Sequence, residues 1–212
     1  MAVKVSEIFH SIQGESSWAG QPCVFIRLTG CNLRCAYCDT SYAYEQGLLM
    51  EIPDILEQVR LLRCDLVEVT GGEPLIQEET PSLIGRLLDE GYTVLLETNG
   101  SIGIGGVDPR CIRIVDVKCP SCGMAGQNDL RNLKELGIND ELKFVIGSRE
   151  DYTFARDLLS DFPAIGCKVN FSPVFGAISP RSLAEWILHD HLRVRLNLQL
   201  HKIIWGPEAR GV

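Results

Sequence analysis

Three cysteines lie within one short stretch, Gly30-Cys31-Asn32-Leu33-Arg34-Cys35-Ala36-Tyr37-Cys38-Asp39-Thr40, at C-x3-C-x2-C spacing. Thiolates are soft ligands, and three of them on one loop can converge on one soft-metal centre. A structural zinc site or a closed iron–sulfur cluster takes four protein ligands, so a local triplet leaves one position open. In a cubane cluster that open iron can bind a substrate or a cofactor. The bland reading is a zinc site or an electron-transfer cluster whose fourth ligand lies elsewhere in the chain. Of the nine cysteines, Cys23, Cys64, Cys111 and Cys167 fall in or beside predicted strands and read as small core residues. Cys119 and Cys122 form a C-x2-C pair that raises a second metal site, although two thiols supply only half a ligand set.

Two further constellations carry polar chemistry. Val69-Thr70-Gly71-Gly72-Glu73-Pro74 follows a predicted strand, where glycines let backbone approach a ligand and strand-end carbonyls accept bonds from an ammonium. By itself a Gly-Gly at a strand end is a turn. Glu7 to Ser16 holds Gln13, Gly14 and Glu15, an amide and a carboxylate on a glycine-containing loop. Arg27 stands at the end of the strand that precedes the cysteine loop, and its planar fork suits a carboxylate.

These residues need a scaffold, and the apolar pattern supplies one. Strands are expected at Val24–Leu28, Asp65–Val69, Thr93–Glu97, Cys111–Val117, Glu141–Ile146 and Lys168–Phe171. Helical spacing appears over Pro53–Arg63, from Pro81 through Leu88, and over Asp129–Leu136, Glu150–Leu159 and Pro180–His189. Gly100–Gly106 is too poor in helix formers for a full helix, so one crossover is degenerate. Val194–Leu200 alternates apolar with polar residues, which predicts an extra C-terminal strand with His201 on its polar face. Strand–helix alternation implies a parallel sheet with right-handed crossovers, and about six repeats imply a barrel or partial barrel. Reactive groups then gather at the C-terminal ends of the strands. The whole of residues 1–212 reads as one domain.

Composition narrows the partners. Hydrophobic residues at 45% and charged residues at 23% are ordinary for a globular chain, with no sign of disorder. A net charge of −8 and the lack of a basic stripe argue against nucleic acid. The first residues lack a signal peptide's apolar centre and no apolar run spans a membrane, so a cytoplasmic protein is expected. In a reducing compartment cysteines serve as metal ligands, nucleophiles or core residues more often than as disulfides.

C-x3-C-x2-C with an aromatic before the third cysteine, followed by Gly71-Gly72-Glu73-Pro74, resembles the radical S-adenosylmethionine (SAM) superfamily. Within it the chain resembles the 7-carboxy-7-deazaguanine synthase family along its whole length. The matching segments are Phe9 to Glu15, Cys38-Asp39-Thr40, Thr70 to Pro74, Glu97-Thr98-Asn99-Gly100 and Gln199-Leu200-His201-Lys202. Ser16 stands where the family commonly has Gly, and Cys119 and Cys122 replace other residues in its K-x-P-S-S-G segment.

The resemblance implies a partial (β/α)6-type barrel and conversion of 6-carboxy-5,6,7,8-tetrahydropterin to 7-carboxy-7-deazaguanine with loss of ammonia, for queuosine biosynthesis. It implies one 4Fe–4S cluster on Cys31, Cys35 and Cys38, whose open iron chelates SAM and, on reduction, yields a 5′-deoxyadenosyl radical. Thr40 then helps to hold Mg2+, and Gln13, Glu15 and Arg27 are the catalytic residues. Ile12, Gly14, Thr70 and Val212 join them around the substrate. SAM falls to Tyr37, Cys38, Asp39, Gly72, Glu73, Asp116, Val117, Lys118 and Ser172. A flavodoxin- or ferredoxin-type electron donor and a homodimer are also implied. The competing readings are a radical SAM activating enzyme acting on a partner protein's glycine, and a non-catalytic iron–sulfur module.

Overall fold

Apolar β-branched runs set the strands, and nine of them form one sheet. In the computed structural model, which describes residues 1–163 and 165–212, these are β1 (Ala2–Ile12), β2 (Pro22–Leu28), β3 (Leu48–Glu51), β4 (Leu66–Gly71), β5 (Thr93–Thr98), β6 (Ile112–Val117), β7 (Glu141–Ile146), β8 (Lys168–Pro173) and β9 (Arg195–Leu196). Their order across the sheet is β3-β1-β2-β4-β5-β6-β7-β8-β9. Every pairing from β2 to β9 is parallel, whereas β1 runs antiparallel to both β2 and β3. The sheet does not close, so the architecture is a partial barrel of six full parallel strands with a short seventh, as expected.

Side chains alternate along each strand, and the two faces differ in chemistry. Val24, Ile26, Leu28, Val67, Val69, Val94 and Leu96 point outward and are covered by α1 (Ile52–Leu61) and α2 (Thr80–Asp89). Ile52, Ile55, Leu56 and Val59 of α1 and Leu83, Ile84 and Leu87 of α2 are the buried stripes. Further along the sheet, Val115, Val117, Leu142, Phe144 and Phe171 are covered by α3 (Arg149–Asp161) and α4 (Pro180–His189). Each of these large side chains contributes roughly 1.5–3 kcal/mol by leaving water. Ser148 and Ser179 cap α3 and α4 through their hydroxyls, which accept the amides of Asp151 and Ser182 at 3.1 and 3.0 Å. Such a cap is worth about 1 kcal/mol.

The other face starts apolar and turns polar. Cys23, Phe25, Leu66, Leu95 and Ile114 form a small inner core. Two residues further along their strands stand Arg27, Glu68, Glu97 and Asp116, with Lys143 beside them on β7. The sequence thus places an ionisable residue on the inner face of each of β2, β4, β5, β6 and β7, near the end where the loops emerge.

Three elements differ from expectation. Residues 2–12, to which the sequence reading assigned no strand, are β1, which pairs with β2 from Val5–Leu28 to Ile12–Pro22. Asp129–Leu136 is not an α-helix: only Leu130–Lys134 coils, as a 3-10 turn. The Asn132 amide there bonds the carbonyls of Gly100 and Ile102 and accepts the Ile104 amide. The loop after β5 is thereby stitched to the loop after β6, and both crossovers lack a full helix. The C-terminal strand shrinks to Arg195–Leu196, and α5 (Leu200–Ile204) begins where the alternation was read as continuing. Asn197 still donates its amide to the Phe171 carbonyl at 2.9 Å, and its side chain turns in to Ser172 Oγ at 3.3 Å.

Candidate active site

A cleft of about 240 Å³ opens at the C-terminal end of the parallel strands. The cysteine loop follows β2 and forms one wall, with Cys31, Cys35, Cys38, Tyr37, Asp39 and Thr40 all lining the cleft. Its position is fixed by neighbours. The Glu73 amide bonds the Gly30 carbonyl at 2.8 Å, and the Asn99 side chain bonds Asn32 Oδ1 at 3.0 Å. Tyr37 reaches across to the Val145 carbonyl on β7 with its hydroxyl at 3.2 Å. Gly72 sits so near this loop that a Cβ there would collide with the Gly30 carbonyl. Glycine is therefore required by close approach.

The three signature thiols are half-buried and free. Among the described residues, no three His, Cys, Asp or Glu side chains close tightly enough on one point for a single ion. A cubane spreads its thiolates over separate irons, and an accessible soft-donor triplet facing a cleft fits it.

The opposite wall is a buried charge network. Lys143 Nζ lies 2.5 Å from Glu15 Oε2 and 2.6 Å from Glu97 Oε1. The Gln199 amide donates to Glu15 Oε1 at 2.8 Å. Burial alone would raise the Glu15 pKa, but Lys143, His201 and Gln199 bring it down to about 2. Burial likewise opposes the Lys143 charge, and the Glu15, Glu97 and Asp116 carboxylates overcome it, holding its pKa well above the ordinary lysine value. Gln13 donates its amide to Glu68 and accepts the Glu15 amide at 3.1 Å, so its orientation is fixed at both ends. Burial first, then the Glu97 charge, pushes the Glu68 carboxyl well above the carboxylate range.

Two ends of the chain meet here. The Leu200 amide donates to the Gly14 carbonyl at 2.9 Å, and a Cβ on Gly14 would collide with the His201 ring. Burial pulls the His201 pKa below the histidine value, partly countered by Glu15. Arg27 spends Nε on Glu7 Oε1 at 2.7 Å. Its two terminal nitrogens have no hydrogen-bond partner among the described residues, and Arg27 lines the cleft. Lys118 pairs with Asp116 Oδ2 at 2.6 Å, while the buried Asp116 Oδ1 has no partner among the described residues. An unpaired buried acceptor in a cleft fits a hydroxyl-bearing ligand.

The sequence candidates divide accordingly. Ile12, Gln13, Gly14, Glu15, Arg27, Thr70, Gly72, Asp116, Lys118 and Val212 line the cleft with the cysteine loop. Glu73, Val117 and Ser172 do not. Glu73 is sealed, its carboxylate accepting from Leu75 N, Thr98 Oγ1 and Asn99 N at 2.9, 2.8 and 2.6 Å. Val117 belongs to the outer core, and Ser172 is buried against Asn197. His201, placed on a strand's polar face from sequence, lies instead in α5 against Gly14. The Cys119 and Cys122 side chains part. Cys119 turns to the Val117 carbonyl in the core at 3.9 Å, and Cys122 turns to Cys35 at 4.0 Å, so the two sulfurs serve different surroundings.

Glu68 and Lys143 were not singled out by sequence reasoning, and Glu97, Gln199 and Lys202 entered only as members of matching segments, without a role. A signal existed for three of them: single charges inside otherwise apolar strands must find partners, because unpaired burial is too costly.

Known proteins agree with this geometry. A family model described as the Radical SAM superfamily matches residues 25–116. A protein named 7-carboxy-7-deazaguanine synthase from Chlorobaculum tepidum is 48% identical, over 99% of this chain and 97% of its own. Proteins of that name from Koribacter versatilis and Clostridium acetobutylicum are 44% and 39% identical, each covered over its full length. The crystal structure of QueE from Escherichia coli superposes with a TM-score of 0.81 over 94% of each chain, at 23% identity, which attests the shared fold. From cysteine loop to closing segment, this chain belongs to the 7-carboxy-7-deazaguanine synthase family of radical SAM enzymes.

Proposed function

We propose that the chain converts 6-carboxy-5,6,7,8-tetrahydropterin to 7-carboxy-7-deazaguanine, releasing ammonia, with Cys31, Cys35 and Cys38 holding a 4Fe–4S cluster and SAM bound beside it. The observation that carries this reading is one cleft with thiols on one wall and a fixed amide–carboxylate–ammonium network on the other. When bound, the cluster and SAM supply the hydrogen-atom abstraction that starts the reaction.

The chain's own residues position and hold charge. A pterin edge presents neighbouring donors and an acceptor. The Glu15 carboxylate, kept ionised by Lys143, accepts from it, and Gln13 is locked where its amide can read the same edge. Arg27 offers its free terminal nitrogens as a fork for the substrate carboxylate, with Nε anchored by Glu7. Thr70 adds a hydroxyl from β4, and Ile12, Gly14 and Val212 complete the walls. Thr40 faces the cleft two residues after Cys38, and its hydroxyl with substrate oxygens and waters meets the needs of Mg2+. On the SAM side, Asp116 Oδ1 is the free acceptor for a ribose hydroxyl, Gly72 allows close backbone approach, and Tyr37 to Asp39 offer backbone to the adenine. Glu73 acts by holding this loop, not by touching SAM.

The test is anaerobic incubation with the carboxypterin, SAM, Mg2+ and a reductant of flavodoxin or ferredoxin type, read by mass spectrometry. The expected product is 7-carboxy-7-deazaguanine. Deuterium on the carboxylate-bearing carbon is expected in 5′-deoxyadenosine or recovered SAM. SAM cleavage that ignores the pterin overturns the reading and favours an activating enzyme. A cleft of about 240 Å³ suits a small molecule better than a folded partner's glycine loop. A homodimer, suggested by the family, is checked by sedimentation.

A further inference from the structure

Cys122 is the residue that the family resemblance leaves unexplained, and its surroundings are specific. It closes a 3-10 turn, Pro120–Cys122, in the long crossover after β6. Asp151 fixes that turn by accepting the Ser121 amide and hydroxyl at 2.8 and 2.5 Å. The Cys122 carbonyl accepts the amide of Ala36 at 3.0 Å, so the turn is tied by backbone to the residue next to Cys35. The Cys122 sulfur is fully buried and stands 4.0 Å from Cys35 Sγ, which lines the cleft.

We propose that Cys35 and Cys122 form a reversible disulfide in the cluster-free protein, with Cys122 as the resolving thiol. The consequence for cluster loading rests on Cys35 being a cluster ligand; the bond itself does not. A disulfide needs its sulfurs at about 2.05 Å, and side-chain rotation suffices from 4.0 Å because the flanking backbones are already joined. The oxidant is a small disulfide of the glutathione type. The Cys35 sulfur, reachable from the cleft, attacks one sulfur of that disulfide, the bond between its two sulfurs breaks, and one small thiol leaves with the Cys35 proton. Cys122 then attacks the Cys35 sulfur, and the second small thiol leaves with the Cys122 proton. The two protein thiols lose two electrons and two protons, which the small disulfide takes up as two thiols. The product shields Cys35 from the sulfinic and sulfonic acids that cannot be reversed by thiols. Reduction restores it as a ligand.

Two arms test this. Full-length protein freed of iron is treated with glutathione disulfide, free thiols are alkylated, and the digest is read by mass spectrometry. A Cys35–Cys122 linked peptide is expected, lost in C122S and in C122A, and kept in C119S. Cys35 joined to Cys31 or Cys38 in the wild type, or Cys35 left fully alkylated, overturns the proposal. The second arm repeats the treatment on cluster-loaded protein, where loss of the linked peptide is expected. If the peptide forms equally there, Cys35 is free in the loaded protein and the cluster assignment fails, while the disulfide stands.

Discussion

Arg27 illustrates how a single residue is prepared for one job. Glu7 accepts from Nε at 2.7 Å and also from the Tyr42 hydroxyl at 2.7 Å, which fixes the guanidinium plane and leaves its outer edge for a ligand. R27A is therefore expected to keep the cluster and SAM binding while losing most product formation, because carboxylate placement sets the distance to the abstracted hydrogen. T40V is expected to do the same and to lose stimulation by Mg2+. Iron content, SAM binding by equilibrium dialysis and product yield separate these effects; normal turnover in R27A would reject the substrate pose. Among the cysteines, C35A is expected to abolish cluster binding and SAM cleavage. C64A keeps both, since Cys64 only bonds the Pro22 and Leu66 carbonyls.

Lys143 tests the other wall. Removing one partner of a buried ion pair costs about 3–5 kcal/mol because the remaining charges are stranded. K143M leaves Glu15 and Glu97 facing each other without a cation, so a loss of that size is expected at pH 7 in urea unfolding. The pH dependence has a definite sign. In the wild type the Glu15 pKa lies near 2, so its contribution is present above the ordinary carboxylate pKa and fades only as pH falls toward 2. The Lys143 contribution is present below the ordinary lysine pKa and fades only as pH rises past its elevated value. In K143M the Glu15 pKa rises, because burial is no longer offset by the Lys143 charge, so the deficit should shrink between pH 7 and pH 5. An unchanged deficit would show that Lys143 stabilises by packing alone.

Among the elements, the loop after β4 is the joint of the site. Glu73 gathers donors from its own turn and from the loop after β5, and its amide holds the Gly30 carbonyl. Replacing it by Ala strands three buried donors, each worth about 1–3 kcal/mol. The expected result is a marked drop in melting temperature together with impaired cluster retention, read by the visible absorbance of the reconstituted protein. A stable E73A that loses only SAM affinity would instead favour direct contact with the cofactor.

Legibility followed sequence distance at this scale. The cysteine loop, Thr70 to Pro74 and the ends of β4, β5 and β6 were readable because each lies in one contiguous stretch. Lys143, Glu68 and the pairing of Glu97 were not, because their meaning comes from three strands brought side by side. The tail misled for a related reason. Alternation from Val194 to Leu200 satisfies a strand pattern, but β9 has only β8 as neighbour and the ladder stops at Leu196. Asn132 shows the reverse case. Helical spacing was present, yet its amide gains three partners in the loop after β5 that a regular helix would have denied it.

Taken whole, the molecule is an open sheet clasped across its gap. Gly14 accepts from Leu200, Gln199 bonds Glu15, and Ser17 bonds Glu141 on β7 and Lys168 on β8. These few bonds sit on loops and a five-residue helix, whereas the strand ladders lie under helices on the outer face. Native-state hydrogen exchange should therefore show the Leu200 amide opening at lower free energy than amides of β4 and β5. Equal protection at both would mean that the clasp opens only with global unfolding.

The clasp also gives the enzyme a birth order. Gly14 leaves the ribosome long before Leu200, so the contact between them closes a long stretch of chain into a ring. Closure over such a separation is entropically late, after the local hairpin of β1 with β2 and the successive strand–helix units have formed. Glu15 meets Lys143 only once β7 exists, and Gln199 only later still. A nascent chain would thus carry its three signature thiols on a formed β2 loop long before the opposite wall of the cleft is in place.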